Sequence, residues 1–234
     1  MITLEDIAQN LKKNNKYWIA FVGDSITSCE WVHPNWRDII QYVLQEEMTD
    51  YLNRNWKLSE WGIKGFNFGY DGSTTTDILE KVEEVSIINP DLTILMIGAN
   101  DPVLDVDIET HIKNLKKIKK EFKNIFISTD NCPWNTVAQE KYLPYIEADV
   151  KENFENFINL FEMSKDFPSE RIYTFKSEEN LVEGIKEGDL DYWHPNQLGN
   201  AYIAKVILKE IFNIDFDPEI YWKDVQVGEK YPSY

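Results

Sequence analysis

The chain has 234 residues, of which 43% are hydrophobic and 14% aromatic, so it can bury a sizeable core, and a largely disordered protein is excluded. Its formal net charge of −17 argues against a nucleic-acid partner, because binding to phosphates needs a surplus of Lys and Arg. Cys29 and Cys132 are the only cysteines, which is too few for a disulfide framework or a cysteine-rich zinc site.

The N-terminus and the hydropathy pattern bear on the cellular location. Residues 1–6 lack the basic and apolar regions of a secretion signal, and no apolar run reaches the length of a membrane span. We therefore expect a cytoplasmic protein that has no membrane span.

The first half of the chain alternates segments of helical and strand-like pattern. Helices are indicated where apolar residues recur at helical spacing, and buried strands where apolar residues run continuously. The predicted elements are, in order, a helix over 3–13, a strand over 17–22, a helix over 35–48, a strand within 62–68 and a helix that is capped by Thr75 or Thr76 and ends at about 87.

The second half continues this alternation. The predicted elements are, in order, a strand over 92–97, a Lys-rich helix over 108–122, a strand over 125–128, a helix over 146–163, a strand over 172–175 and a helix over 197–212. Strands and helices that alternate at this spacing favour a parallel sheet covered by helices on both faces. We expect a single domain over 1–234, with its core at about 17–212. The aromatic tail at 213–234 is expected to pack back onto the domain, with contact to a partner as the alternative.

Polar and glycine-containing clusters follow the first three predicted strands. They surround Ser25, Gly72 and Asn100, respectively. Ligands of parallel α/β sheets bind outside the carboxyl ends of the strands, so we expect these three residues at one site.

Ser25 is a candidate nucleophile, since it ends a buried strand in the tight turn Gly23-Asp24-Ser25. A serine hydroxyl needs an adjacent base, a group that orients this base, and donors for the oxyanion. The backbone N–H of Ser25 could supply one such donor. Taken alone, the tripeptide is more typical of an ordinary turn or a helix cap.

Asp191 and His194 could supply the orienting group and the base. A carboxylate three residues before an imidazole can share a hydrogen bond with it across a single turn. A surface histidine at the start of a helix fits the same pattern. Of the other histidines, His33 could line the pocket, and His111, in the Lys-rich helix, is expected to be solvated.

Gly72 and Asn100 are candidate oxyanion donors. A glycine lets the backbone approach a ligand and point an N–H at it, and an asparagine amide can donate as well. Each residue also has a plainer interpretation. Gly72 could be a loop glycine before a Thr-capped helix, and Asn100 could form an Asx turn that closes its strand.

Neither a metal nor another cofactor is expected. The three histidines show no metal-ligand spacing, and the chain lacks a glycine-rich loop of the kind that cradles phosphates.

Together, these residues resemble the SGNH hydrolases, the esterase and lipase superfamily that is also called GDSL-like. Four blocks in family order carry the resemblance, which spans about residues 17–212: Gly23-Asp24-Ser25-Ile26, Gly72 within 67–74, Gly98-Ala99-Asn100-Asp101, and Asp191-Tyr192-Trp193-His194. Many relatives have a glycine shortly after the serine block. This chain departs from them at 28–31, which predicts a different shape of the nearby pocket wall.

The resemblance implies a fold, a mechanism and roles for individual residues. The fold is a three-layer α/β/α sandwich of flavodoxin-like type, with a central parallel sheet of about five strands. Ser25 would be the nucleophile, His194 the base and then the acid, and Asp191 the orienting carboxylate. The Ser25 N–H, the Gly72 N–H and the Asn100 side chain would form the oxyanion hole.

The expected function is hydrolysis of a carboxylic ester through an acyl-enzyme, with a small molecule as substrate. Four tryptophans lie near the predicted loops: Trp31, Trp36, Trp134 and Trp193. Because aromatic faces suit sugar rings or a small acyl group, an acetyl ester of a carbohydrate is the leading substrate, with core packing of the tryptophans as the alternative. Alternative activities are those of a lysophospholipase, a thioesterase or an acyltransferase. In a different class, the protein would be a non-catalytic carbohydrate-binding protein.

Overall fold

A computed structural model describes residues 1–28, 32–53, 60–181 and 184–227. Its centre is a five-stranded, all-parallel sheet with the strand order β2-β1-β3-β4-β5. The strands are β1 (Tyr17–Gly23), β2 (Ile63–Gly69), β3 (Leu92–Met96), β4 (Ile125–Ser128) and β5 (Phe157–Ile158). This order is that of flavodoxin-like doubly wound sheets, in which the order of the strands reverses next to β1.

Helices cover both faces of this sheet. The helices of the described residues are α1 (Leu4–Asn14), α2 (Trp36–Tyr51), α3 (Thr75–Ser86), α4 (Ile108–Glu121), α5 (Thr136–Glu152), α6 (Leu160–Met163), α7 (Ser169–Ile172), α8 (Gln197–Phe212) and α9 (Pro218–Val227). Among them, none combines the length and the apolar composition that a membrane span requires.

Alternate side chains of β1 enter two separate cores, because successive residues of a strand point to opposite faces. Ile19 and Phe21 pack with α1, α2 and α8, whereas Ala20 and Val22 pack with α3 and α4. The strand is therefore buried on both faces, which explains its continuous apolar sequence. The predicted α/β class, with a central parallel sheet between two layers of helices, is confirmed.

Side-chain caps fix the starts of several helices. At α3, the Thr74 hydroxyl accepts a hydrogen bond from the Asp77 N–H (3.3 Å), and the Asp77 carboxylate accepts one from the Thr74 N–H (2.8 Å). This reciprocal capping box satisfies two backbone donors that would otherwise lack partners. The predicted caps, Thr75 or Thr76, were wrong by one or two residues.

The prediction of a helix over 146–163 was also wrong. The helix in this region, α5, begins at Thr136 and ends at Glu152, and the predicted range contains β5 and α6 as well. Two asparagines in left-handed conformation, Asn153 (φ 55°) and Asn156 (φ 59°), turn the chain between α5 and β5. Asparagine tolerates this conformation better than most residues, so the helix ends there and the chain enters the sheet.

The strand predicted over 172–175 is not part of the sheet. Ile172 ends α7, and its side chain packs with Tyr173 and Leu198 in a small separate cluster. The following segment runs beside the Asp191 loop instead, through one isolated antiparallel bridge between Lys176 and Leu190. The apolar residues that suggested a strand are thus buried by packing, without strand pairing.

The C-terminal segment lies against the α8 side of the domain. Phe216 and Tyr221 are buried in the core that α1, α2 and α8 form. The Glu219 carboxylate accepts hydrogen bonds from both terminal nitrogens of Arg171 (2.8 Å each) and from the Tyr202 hydroxyl (2.7 Å). Of the aromatic residues in the predicted tail, Tyr231 and Tyr234 lie outside the described residues.

Candidate active site

The ends of three neighbouring strands define the site. Gly23 at the end of β1 pairs with Gly69 at the end of β2 and with Met96 at the end of β3. The loops that follow these strands therefore start side by side, and they carry Ser25, Gly72 and Asn100. This edge is the position at which parallel α/β sheets bind their ligands.

Ser25, His194 and Asp191 form a continuous chain of hydrogen bonds. The Nε2 atom of His194 lies 2.8 Å from the Oγ atom of Ser25, and its Nδ1 atom lies 2.6 Å from Oδ2 of Asp191. Because the Asp191 carboxylate can only accept, Nδ1 carries the proton and Nε2 is left to accept the proton of the serine. This is the geometry in which an imidazole acts as a general base on a hydroxyl.

Asp191 is fully buried, yet its carboxyl group is held in the charged form. Burial on its own would raise the pKa of this carboxyl, but hydrogen bonds from the His194 ring and from the backbone N–H groups of His194 (3.1 Å) and Trp193 (2.9 Å) hold its pKa below the ordinary value. The same bonds fix the loop, so the carboxylate both orients the ring and compensates a positive charge on it.

The turn that presents Ser25 is fixed on both sides. The Asp24 carboxylate accepts from the Ile26 N–H (3.0 Å), and the Ile26 carbonyl accepts from the Trp36 indole N–H (3.0 Å). A side chain at Gly23 would place its Cβ 2.2 Å from the Met96 carbonyl oxygen, so the turn sits tightly against β3. Ser25 itself is half-buried, which leaves its hydroxyl accessible at the edge of the sheet.

The proposed oxyanion donors lie beside this turn. Gly72 has a φ of +69°, a left-handed conformation that favours glycine. The Asn100 amide donates to the Ser73 carbonyl (3.0 Å) and, over a longer distance, to Asp24 (3.4 Å). Within the described parts of the chain, neither the Ser25 N–H nor the Gly72 N–H donates a hydrogen bond. Both groups are thus available to a ligand.

His111 is not solvated, contrary to the prediction. It is fully buried, with Nδ1 at 2.7 Å from Asp101 and Nε2 at 3.0 Å from Asp149. A neutral imidazole has one N–H only, whereas the charged ring can donate to both carboxylates. Burial opposes this charge, but the hydrogen bonds to Asp101 and Asp149 prevail and raise the pKa of His111 to about 9. The lysines around it in the sequence lie on the more exposed face of α4, whereas His111 lies on the buried face of this helix.

A further buried acid, Asp130, was missed in the sequence. Its Oδ2 atom accepts from the Ala99 N–H (2.8 Å), next to Asn100, while Oδ1 has no partner in the described residues. Burial raises the pKa of Asp130 to about 7, and burial together with the charge of Asp130 also raises the pKa of Asp24. The signal that could have found Asp130 is its position just after β4, the same signal that pointed to Asn100.

The tryptophans and the histidine that were considered as pocket residues differ in their burial. Trp36 and Trp193 are buried, so the alternative interpretation as core residues holds for them, whereas Trp134 is 42% exposed. Trp31 lies outside the described residues, together with 29 and 30, so Ser28 is the one described position of the segment 28–31 that departs from the family pattern. The His33 side chain is mostly exposed and pairs with Asp38.

Within the parts of the chain that the structure describes, no group of three or more His, Cys, Asp or Glu side chains could hold a metal ion.

The family model described as GDSL-like Lipase/Acylhydrolase matches residues 19–207. The chain belongs to this family and is a carboxylic ester hydrolase. The match begins within β1, ends within α8 and contains the four sequence blocks. No curated protein sequence matches the chain.

Solved structures share the fold. A catalytic mutant of Axe2, an acetylxylan esterase from Geobacillus stearothermophilus, matches with a TM-score of 0.61 and 19% identity over 86% of this chain and 97% of that chain. The family 3 carbohydrate esterase of Clostridium thermocellum matches with a TM-score of 0.57 and 17% identity over 83% and 94%. LAE5, an alpha/beta hydrolase enzyme from the metagenome of Lake Arreo, also has a TM-score of 0.57, with 14% identity over 83% and 94%.

Proposed function

We propose that this protein is a serine esterase that removes acetyl groups from a carbohydrate, with Ser25 as nucleophile, His194 as base and Asp191 as the orienting carboxylate. The observation that carries the proposal is the continuous hydrogen-bonded chain from Ser25 through His194 to the buried Asp191. A serine at the edge of a sheet needs such an arrangement only if its hydroxyl is to be deprotonated.

The geometry supports a two-step reaction. His194 takes the proton of Ser25 through Nε2 while Oγ attacks the ester carbonyl, and the Ser25 N–H, the Gly72 N–H and the Asn100 amide hold the oxyanion. His194 then protonates the leaving alcohol, and an acetyl-serine remains. A water molecule gives a proton to His194, attacks this acetyl group and releases acetate, after which Ser25 regains its proton.

The substrate class rests on two lines of support. Axe2 is an acetylxylan esterase and the Clostridium thermocellum protein is a carbohydrate esterase, and both share the fold of this chain. In this chain, the half-exposed Trp134 lies next to the loop that carries Asp191 and His194, since the backbone N–H of Trp134 donates to the Tyr192 carbonyl (3.0 Å). An exposed indole at this position suits a sugar ring.

A substrate panel tests this proposal. The purified protein is assayed with p-nitrophenyl esters from acetate to decanoate, with acetylated xylo-oligosaccharides and with acyl-CoA thioesters, and the Ser25→Ala variant is the control. We expect acetyl esters to be hydrolysed fastest and the control to be inactive. An optimum at long acyl chains would point to a lysophospholipase, a preference for acyl-CoA to a thioesterase, and transfer to an added alcohol to an acyltransferase.

The non-catalytic alternative is tested separately. A fluorophosphonate reacts covalently only with an activated serine, so we expect one label on the wild type and none on Ser25→Ala. A wild-type protein that binds acetylated oligosaccharides but takes up no label would be a carbohydrate-binding protein instead.

A further inference from the structure

The Asp101 carboxylate connects the two loops that carry the proposed oxyanion donors. Asp101 directly follows Asn100, and it is fully buried. Its Oδ1 atom accepts from the N–H of Thr75 (2.8 Å), and its Oδ2 atom accepts from the Thr75 hydroxyl (2.6 Å). Thr75 starts α3, three residues after Gly72. The Asp101 side chain thus links the Asn100 loop to the start of the helix that follows Gly72, in addition to the bond from the Asn100 amide to the Ser73 carbonyl.

His111 forms a further hydrogen bond with the Asp101 carboxylate. Its Nδ1 atom contacts the same Oδ2 atom of Asp101 (2.7 Å), and its Nε2 atom contacts Asp149 on α5 (3.0 Å). The ring also packs against the backbone of the Asn100 loop, because a Cβ at Gly98 would lie 3.2 Å from its Cε1 atom. The loop is therefore held by a hydrogen bond at one end and by direct contact with the ring at the other.

His111 supplies the positive charge of this cluster. An isolated buried carboxylate is strongly unfavourable, whereas an imidazolium between two carboxylates attracts both, offsets part of their negative charge and satisfies both of its own ring nitrogens. The high pKa of His111 agrees with a ring that stays charged at neutral pH. Asn114, one turn further along α4, adds bonds to the hydroxyls of Thr75 (3.3 Å) and Thr76 (2.9 Å), so α4 contacts the first turn of α3 as well as the Asn100 loop.

We propose that His111 is a positioning residue of the active site, which acts through Asp101 to hold the Asn100 amide and the Gly72 N–H at their places in the oxyanion hole. This inference rests on the proposed function, because it assumes that Asn100 and Gly72 hold an oxyanion. His111 itself is buried beneath these loops and has no contact with the substrate. Its effect is therefore on the rate of the chemical step and not on substrate binding.

The test is a double-mutant cycle between His111 and Asn100, with p-nitrophenyl acetate as substrate. In the His111→Gln variant we expect kcat to fall by about ten- to a hundred-fold with KM within about two-fold of the wild type, because small displacements of catalytic groups cost this much. In the Asn100→Ala background the same change should cost less than about three-fold, since one of the two donors that it positions is already lost. A loss of equal size in both backgrounds, or a wild-type kcat in folded His111→Gln, would overturn the inference.

A matched control separates positioning from stability. Lys116 and Glu152 also connect α4 to α5, through an ion pair of 2.8 Å, but they are partly exposed and contact neither loop. Lys116→Gln should leave kcat unchanged. If His111→Gln does not fold, Asp149→Asn takes its place in the cycle, since it leaves the bond between His111 and Asp101 intact. For this variant we expect a smaller loss in kcat, again dependent on Asn100, and an unchanged kcat would count against the inference.

Failure of the proposed function is distinguishable from failure of this inference. If Ser25→Ala hydrolyses the ester as fast as the wild type, the proposed function is wrong, and with it the role of Asn100. If Ser25→Ala is inactive while folded His111→Gln keeps the wild-type kcat, only the role of His111 is wrong.

Discussion

The Nε2 atom of His194 lies 2.8 Å from the hydroxyl of Ser25, although 169 residues separate them in the chain. The two residues meet because β1 ends at Gly23, two residues before Ser25, while the loop before α8 returns to the same edge of the sheet. Asn200 on α8 strengthens this junction, since its amide donates to the Pro195 carbonyl (2.9 Å) and its oxygen accepts from the Trp36 N–H (3.1 Å). The loops that carry His194 and Ser25 are thus connected through α2 and α8.

Removing the Asn100 amide should slow catalysis without unfolding the protein. Asn100→Ala deletes one of three donors to the oxyanion, and the loss of one such donor typically costs about a hundred- to a thousand-fold in kcat. We expect this loss with p-nitrophenyl acetate, while KM stays within a few-fold. Thermal unfolding serves as the control. A kcat within about three-fold of the wild type would exclude Asn100 from the oxyanion hole.

Replacing the carboxylate of Asp191 should stop catalysis almost completely. In Asp191→Asn, the amide cannot compensate a positive charge on His194, and its NH2 group favours the wrong tautomer of the ring. We expect kcat to fall by about a thousand-fold or more. Asp189→Asn is the matched control, because Asp189 is exposed and lies two residues before Asp191. Equal activities of the two variants would rule out a role for Asp191 in orienting His194.

Neutralising Asp130 should stabilise the protein at alkaline pH. Burial raises the pKa of Asp130 from 3.8 to about 7, so the stabilisation from this group is complete below about pH 3.8 and is lost as the pH rises through about 7. Asparagine does not ionise and avoids this loss. We expect Asp130→Asn to have a higher free energy of unfolding than the wild type at pH 8, by on the order of a few kcal/mol, since each shifted pKa unit corresponds to about 1.4 kcal/mol.

Denaturant unfolding at pH 5 and pH 8 measures this effect. The difference between the Asp130→Asn variant and the wild type should be smaller at pH 5 than at pH 8, and it should vanish only below about pH 3.8, where Asp130 is neutral in the unfolded state as well. Asp166→Asn, at an exposed position, should show no dependence on pH. A variant that is less stable than the wild type at pH 8 would contradict the assignment of a buried, raised pKa to Asp130.

Trp134 should matter for sugars and not for small esters. Its ring is 42% exposed and stacks on the buried Tyr173 at an interplanar angle of 21°, which holds the indole in one orientation. We expect Trp134→Ala to raise KM for acetylated xylo-oligosaccharides by about ten-fold, as the loss of a stacking contact of roughly 1 kcal/mol or more would cause, and to leave p-nitrophenyl acetate unaffected. Trp61→Ala is the control, since Trp61 is 71% exposed but precedes β2, at the opposite end of that strand. Equal effects of both variants on both substrates would argue against stacking of a sugar ring on Trp134.

Local patterns predicted the elements whose signals are strong. The last long helix, α8, was predicted with the bounds that the structure has, and β4 was as well. Both have a continuous pattern with clear ends, so no distant contact is needed to define them. In 146–163 the pattern was ambiguous, because a short apolar run such as Phe157-Ile158 fits a buried helix as well as a strand. Pairing with the neighbouring strand β4 makes this run a strand.

The environment of His111 was beyond any local pattern. Six of the residues from 113 to 123 are lysines, so its surroundings in the sequence indicate a solvated face. Its partner Asp149 lies 38 residues away, on a different helix. A charge pair of this kind forms only when two helices pack side by side, and the sequence of one helix carries no information about it.

From the chain alone one can read the residue types of the site, the order of its blocks and the strands after which they come, because alternation and apolar runs are local properties. Family membership follows from these blocks. Tertiary structure decides the distances: the parallel register of β1 with β2 and β3 places Ser25 beside Gly72 and Asn100, and α8 returns His194 to the same edge. It also decides which charges are buried, since burial depends on the packing of helices that are far apart in sequence. For this reason Ser25, Asp191 and His194, the residues of the proposed triad, could be named in advance, whereas the cluster of Asp101, His111 and Asp149 beneath them could not.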